Sequence, residues 1–132
     1  MTEVAAALIR DEEGRIFIFR RPQNKKRGGL WEFAGGKLEP GETGPEALVR
    51  ECREELDVTV SVGQEYCAVT HRYPDLEIRL TLYEAAVSSG TIRLLEHTEM
   101  KRVLPEELAG FEFCPADEEI LRIIREREGE RR

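Results

Sequence analysis

The sequence is poor in cysteine, histidine and tryptophan, and it contains no long apolar run. Its three cysteines, Cys52, Cys67 and Cys114, are odd in number and widely spaced. That pattern argues against a disulfide framework or a cysteine-based zinc site and suits a reducing compartment. Each is read as a small buried hydrophobe. The two histidines, His71 and His97, pair into no metal motif and are read as surface or supporting residues. No stretch approaches the roughly 20 apolar residues of a membrane-spanning helix, and the first residues lack the layout of a signal peptide. The expectation is a cytoplasmic protein with no membrane partner. Positive charge is also in deficit, with 20 Lys and Arg against 27 Asp and Glu and a net charge of −7. A broad face for long nucleic acid is therefore not expected. A small phosphorylated ligand remains open, because a divalent cation can bridge acidic protein and anionic substrate. The basic residues are unevenly spread: Arg20, Arg21, Lys25, Lys26 and Arg27 crowd into one short stretch.

What is present suits one polar globular domain spanning residues 1–132, with 40% hydrophobic and 36% charged residues and enough chain for a core. Val4 to Arg10 reads as a buried strand, Asp11 to Gly14 as a turn, and Ile16 to Arg20 as a second strand forming a hairpin with the first. Leu30 to Phe33 reads as a short strand ended by Ala34-Gly35-Gly36. Val58 to Val62 and Glu65 to His71 are extended. Leu76, Ile78, Leu80 and Leu82 alternate with polar residues, the period of a strand with one buried face. Ser88-Ser89-Gly90 reads as a loop, and Glu99 to Leu104 as a last strand. Pro105 to Leu108 reads as a short helical turn. Pro115 opens a helix buried through Ile120, Leu121, Ile123 and Ile124, and the charged tail from Arg125 to Arg132 is expected to fray. Strands before and after one helix, with a second helix at the end, predict an α/β fold: a mixed central sheet with helices on both faces.

The stretch from Gly36 to Val58 carries the chemistry. Thr43-Gly44-Pro45-Glu46 is a capping box with proline in the first turn. The helix it opens runs to about Leu56, with Leu48, Val49, Cys52 and Leu56 on one stripe. Glu51, Glu54 and Glu55 lie on the neighbouring arc. At these offsets like charges repel, yet three carboxylates on one arc suit a hard divalent cation. Taken alone the trio is more often a solvated face, with Glu46/Arg50 and Arg50/Glu54 as ordinary helix pairs. Gly36, Glu42 and Arg50 stand in register with the trio, and it is the family resemblance carried by that register that favours the metal site.

Gly36, Glu42, Arg50-Glu51, Cys52, Glu54-Glu55 and Val58 match the Nudix box. The chain resembles the MutT branch of that family from Val4 to Arg21, at Leu30 to Gly36 and at Pro115-Ala116-Asp117, and is similar to its CTP pyrophosphohydrolase and 8-oxo-dGTP diphosphatase members. Two positions depart from the box: Asp57 replaces the glycine that ends the helix, and Cys52 replaces an aliphatic residue. Asp57 can adopt the left-handed conformation at modest cost.

The resemblance implies a Nudix-type α/β/α sandwich and Mg²⁺-dependent hydrolysis of a nucleoside triphosphate to the monophosphate and pyrophosphate, with Mn²⁺ as a substitute ion. It implies that Glu51, Glu54 and Glu55 hold the metal beside the backbone carbonyl of Gly35, and that Glu96 adds a ligand, with Glu99 as the alternative. Glu54 or a nearby acid would activate water, and Arg50 and Glu42 would orient the acids. Arg21 would contact phosphate, and Phe33 would line the base pocket. The partner would be a small nucleotide and the protein a monomer or homodimer.

Asp117 would read the base. Ionised, it offers only acceptors, as cytosine N4 requires; protonated by burial, it can serve an oxidised guanine. The residues leave the base open. Rival readings are a hydrolase of another nucleoside diphosphate derivative, and a nucleotide-binding Nudix module without catalysis. The complete set of box acids disfavours the latter, and the short chain without an added N-terminal subdomain disfavours the ADP-ribose type.

Overall fold

The computed structural model describes residues 1–129. Its strands are β1 (Thr2–Ile9), β2 (Ile16–Arg20), β3 (Trp31–Glu32), β4 (Ala34–Lys37), β5 (Thr59–Arg72), β6 (Glu77–Ser89) and β7 (Glu99–Val103). Helix α1 spans Gly44–Leu56 and α2 spans Pro115–Ile124, with a 3₁₀ turn at Pro105–Gly110 and a π-helical turn at Arg125–Gly129.

A four-stranded mixed sheet runs in the order β4-β1-β6-β5, and a three-stranded antiparallel sheet in the order β3-β2-β7. Strand β1 is central to the first, parallel to β6 and antiparallel to β4. It reads as a continuous apolar run because both its faces are covered. Ala5, Ala7 and Ile9 join the core under α1, built with Ala47, Leu48, Cys52 and Leu56. Ala6 and Leu8 join the core under α2, built with Ala116, Ile120, Leu121 and Ile124. The sheet between two helical layers is the α/β architecture expected from the element order.

Three local expectations are corrected. The first two strands do not form a hairpin: after a bridge between Arg10 and Ile16 they part, and β2 pairs with β3 and β7 instead. Their apolar runs show burial but not the partner. Ser88 and Ser89 continue β6, because β5 is long enough to pair with them. The tail does not fray as far as it is described. Glu128 accepts two hydrogen bonds from the Arg10 guanidinium (2.8 and 2.9 Å) and one from the Tyr66 hydroxyl (2.6 Å). Arg127 lies over the Tyr66 ring, 4.7 Å from its centroid. The remainder of the predicted fraying segment, 130–132, lies outside the described residues.

Candidate active site

Helix α1 begins as its sequence requires. The Thr43 hydroxyl accepts from the Glu46 N–H (3.2 Å) and the Glu46 carboxylate accepts from the Thr43 N–H (2.9 Å), so two otherwise orphaned donors are satisfied. It ends at Asp57 in the left-handed conformation, φ 58° and ψ 37°, with the Asp57 N–H donating to the Arg53 carbonyl. The apolar stripe faces the sheet and leaves the acidic arc at its border.

On that arc Arg50 is the hub. Its Nε and Nη2 donate to both oxygens of Glu42 (2.7 and 2.9 Å), its Nη1 to Glu51 (2.7 Å) and Glu54 (3.2 Å), and its Nη2 also to the Lys37 carbonyl (3.0 Å). Two parallel N–H···O bonds give geometry as well as energy. The bond from Arg50, with another from the Glu39 N–H, holds the Glu42 carboxyl down at about 2. The same acids push the Arg50 guanidinium further up.

Glu55 has a different environment. Burial, contact with the Glu51 carboxyl and the charge of Glu32 raise its pKa, while the Gly35 N–H, donating to it at 3.2 Å, works the other way. Glu51 lies so close to β4 that a Cβ at Gly36 would collide with its carboxylate, and one at Gly35, where φ is +148°, would strike the Ala5 carbonyl. Both glycines are therefore required by close approach. Glu54 is the open member of the trio, its side chain 59% exposed. Among the described residues no three acidic, histidine or cysteine side chains surround one point, because Glu51 and Glu54 turn towards Arg50 instead of converging.

Beside the arc opens a cavity of about 610 Å³. Gly35, Gly36 and Glu55 line it, and so do Arg21, Phe33, Glu96 and Asp117. Asp117 is 5% exposed. Burial and the charges of Glu32 and Glu118 raise its pKa well above the usual carboxyl range. It stands in the first turn of α2, whose Ala116 N–H is capped by the Tyr73 hydroxyl (2.9 Å).

Residues 5–122 match the NUDIX domain model. The chain belongs to the Nudix family. Against the CTP pyrophosphohydrolase of Escherichia coli K12 this Nudix chain is 38% identical over 117 residues, covering 89% of itself and 86% of that protein. It is 41% identical over 80 residues to the 8-oxo-dGTP diphosphatase of Proteus vulgaris, covering 61% of itself and 71% of the relative. The crystal structure of MutT protein from Methanosarcina mazei Go1 superposes with a TM-score of 0.85 at 26% identity, covering 98% of this chain and 96% of that one. The protein is accordingly a Nudix hydrolase.

The Nudix box residues Glu42, Arg50, Glu51 and Glu54 form one ion-pair network, and Glu55 reaches from it to the cavity. Arg21 lines the cavity, but its Nη1 is held by Glu32 (3.1 Å) and its Nε by the Lys26 carbonyl (2.9 Å). Phe33 is 3% exposed and packs against Phe113 while walling the cavity, so its core and pocket readings coincide. Glu96 sits at the cavity, ion-paired with Lys25 at 3.1 Å. Glu99 does not line it and pairs with Arg20 and Lys101. Tyr73 and Leu80 also line the cavity. His97 is not at the surface: it is 7% exposed, with Nε2 2.9 Å from Glu32 Oε2. Sequence reasoning missed Glu32 as a junction between Arg21, His97 and the buried acids. The only sequence signal was an acid between two buried aromatics on a strand, at odds with its neighbours.

Proposed function

We propose that this Nudix hydrolase cleaves nucleoside triphosphates to the monophosphate and pyrophosphate, in the MutT manner, and acts in clearing the nucleotide pool. The observation that carries the reading is a cavity of base-holding size lined both by Glu55 of the catalytic helix and by the buried carboxyl of Asp117. Residues 1–132 serve as one catalytic domain, acting in the cytoplasm as a monomer or homodimer. No helix among the described residues is long and apolar enough to cross a membrane.

Mg²⁺, or Mn²⁺ in its place, would be held by Glu51, Glu54 and Glu55 with the Gly35 carbonyl, and by Glu96 from the loop before β7. The donor set fits: all are hard oxygens, and the contact between Glu51 and Glu55, which raises the Glu55 pKa, is one that a cation relieves. Such an ion supplies Lewis acidity and favours ionisation of the attacking water. The chain's own residues do the rest. Arg50 holds Glu42, Glu51 and Glu54 in place. Glu54, the most exposed acid of the trio, takes a proton from water. Arg21 offers a planar cation to the phosphate chain, and Phe33 presents its face to the base.

Asp117 bears on the base. Its side chain is buried in the field of Glu32, which raises its pKa, and in the protonated form it presents one donor beside one acceptor. Cytosine shows N4–H next to N3, and 8-oxoguanine shows N7–H next to O6. One neutral carboxyl complements both edges. This would bring together the two activities for which the relatives are named, and we assign both nucleotide types as substrates.

The test is a screen of normal and oxidised nucleoside triphosphates with Mg²⁺ and product identification. Monophosphate and pyrophosphate from cytidine and 8-oxoguanine nucleotides are expected. Diphosphate and inorganic phosphate would overturn the reaction, and turnover confined to nucleotide sugars or dinucleoside polyphosphates would overturn the substrate class.

A further inference from the structure

His97 is an unusual residue to bury. Its ring packs 5.2 Å from Phe19, and its Nδ1 is buried without a hydrogen-bond partner among the described residues. An apolar side chain of similar shape would fill that space without leaving a polar atom unsatisfied, a defect that native interiors mostly avoid. The imidazole therefore needs an explanation outside packing, and its other nitrogen supplies one.

Nε2 lies 2.9 Å from Glu32 Oε2, while Arg21 Nη1 lies 3.1 Å from Glu32 Oε1. Each oxygen of Glu32 thus has its own donor. A carboxylate beside a guanidinium accepts only, so the ring proton belongs on Nε2 and Nδ1 carries the lone pair. The alternative tautomer would bury an N–H with no acceptor and set two acceptors face to face.

Backbone hydrogen bonds fix the loop that carries this histidine, which lines the cavity. Arg93 N–H donates to the Leu56 carbonyl (2.9 Å), Leu95 N–H to the Glu55 carbonyl (3.0 Å) and Thr98 N–H to the Arg20 carbonyl (3.0 Å). The loop that carries His97 is thereby tied at one side to the end of α1 and at the other to the end of β2, next to Arg21.

We propose that His97 is a positioning residue for nucleotide binding: by occupying one oxygen of Glu32 it restricts Arg21 to a single-oxygen contact through Nη1 and, with Nε held by the Lys26 carbonyl, leaves Nη2 available to the phosphate chain. This rests on the function assigned above. Without His97, both Glu32 oxygens are open to Arg21. A guanidinium forms two parallel bonds to a carboxylate when it can, and the fork would then turn towards Glu32 and away from the nucleotide. The role concerns binding more than bond breaking, since neither Glu32 nor His97 belongs to the acidic arc of α1.

The experiment compares wild type with His97→Phe and His97→Gln on the best substrate found in the screen. Phenylalanine keeps the aromatic packing and removes the donor; glutamine can place an N–H near the former Nε2. His97→Phe is expected to raise KM about tenfold, the loss of roughly one charge-assisted hydrogen bond, with kcat within about twofold. His97→Gln is expected to recover most of that KM, although it packs less well and melts at a lower temperature. A purely structural histidine predicts the reverse order, with phenylalanine the milder change. Long-range imidazole NMR of the wild-type protein supplies an arm that needs no turnover, and it should show His97 as the Nε2–H tautomer. A proton on Nδ1, or an unchanged KM in a folded His97→Phe protein, would overturn the role. An inactive wild-type protein would instead overturn the assigned function.

Discussion

Arg50 touches Glu42, Glu51 and Glu54 at once, and this crowding of acids around one cation sets what single substitutions should do. Glu54→Gln is expected to lower kcat by about 10²–10⁴, the usual worth of a general base, while thermal unfolding stays within a degree or two because the side chain is mostly exposed; steady-state kinetics beside calorimetry checks both. The Glu42 carboxyl is held at about 2 by Arg50. Its folded pKa is depressed, so its contribution to stability is full above its unfolded value and is lost as pH falls from there through about 2. Glu42→Gln should flatten that acid limb in melts recorded across the same range. Asp117 has the opposite sign. Its pKa is raised, so it favours the fold most at low pH and ceases to do so as pH rises through the folded value. Asp117→Asn, which keeps a donor and an acceptor, should remove that slope. It should leave kcat/KM for cytidine and 8-oxoguanine nucleotides within about fivefold, whereas Asp117→Ala should cost both about 10²-fold, as two hydrogen bonds to a buried edge suggest. A selective loss of cytidine turnover in Asp117→Asn would show that the native carboxyl works ionised. At this scale the sequence was legible where spacing within one helix carries the information, as for Glu51, Glu54 and Arg50. It was not legible for Glu32 and His97, which meet across 65 positions of chain and carry no pattern of their own.

Among the elements, α1 is the one whose sequence and structure agree most closely, because its cap, stripe and stop are all local. The departure at its end is also local. Asp57 holds φ 58° without glycine's freedom, and an acid there opposes the helix dipole. Among the described residues its ion-pair partner is Arg93, 3.6 Å away between exposed side chains, worth little. Asp57→Gly is expected to stabilise the protein by about 0.5–1 kcal/mol, read as a higher denaturant midpoint at unchanged slope, with no change in kcat. The elements that the sequence concealed are those held by distant partners. The segment from Thr91 to Thr98 has no period, and its shape comes from carbonyls of α1 and β2. The parting of β1 and β2 is likewise decided by β7, far along the chain.

For the whole molecule, the two cores on either face of β1 make a layered body whose last described residues return to the sheet. Arg10 on one side of β1's end is bound by Glu128 and approached by Glu84 at 3.5 Å. Both members of the Arg10–Glu128 pair are about three-quarters covered, so the pair should contribute more than an exposed one. Glu128→Ala is expected to cost about 1–2 kcal/mol and to leave KM and kcat unchanged, which thermal melts and kinetics together would establish. A shift in KM would mean that the tail communicates with the cavity. The layers were legible in the sequence because helix and strand periods reveal which faces are apolar. The tail was not, because charge runs look alike whether they bind or trail.

The three cysteines turn this layered body into its own clock. Cys52 sits in α1, Cys67 in β5 and Cys114 just before α2, all buried. Burial pushes Cys52 and Cys114 up to about 12 and raises Cys67 as well. A thiol reagent needs the thiolate, so modification of the native protein must wait for each thiol to open to solvent. Following the mass of each reagent-modified cysteine peptide over time would therefore time the breathing of three separate layers without introducing a single substitution. Three equal rates would describe a body that opens all at once; Cys114 running ahead of Cys52 would describe one whose α2 side opens while α1 stays shut.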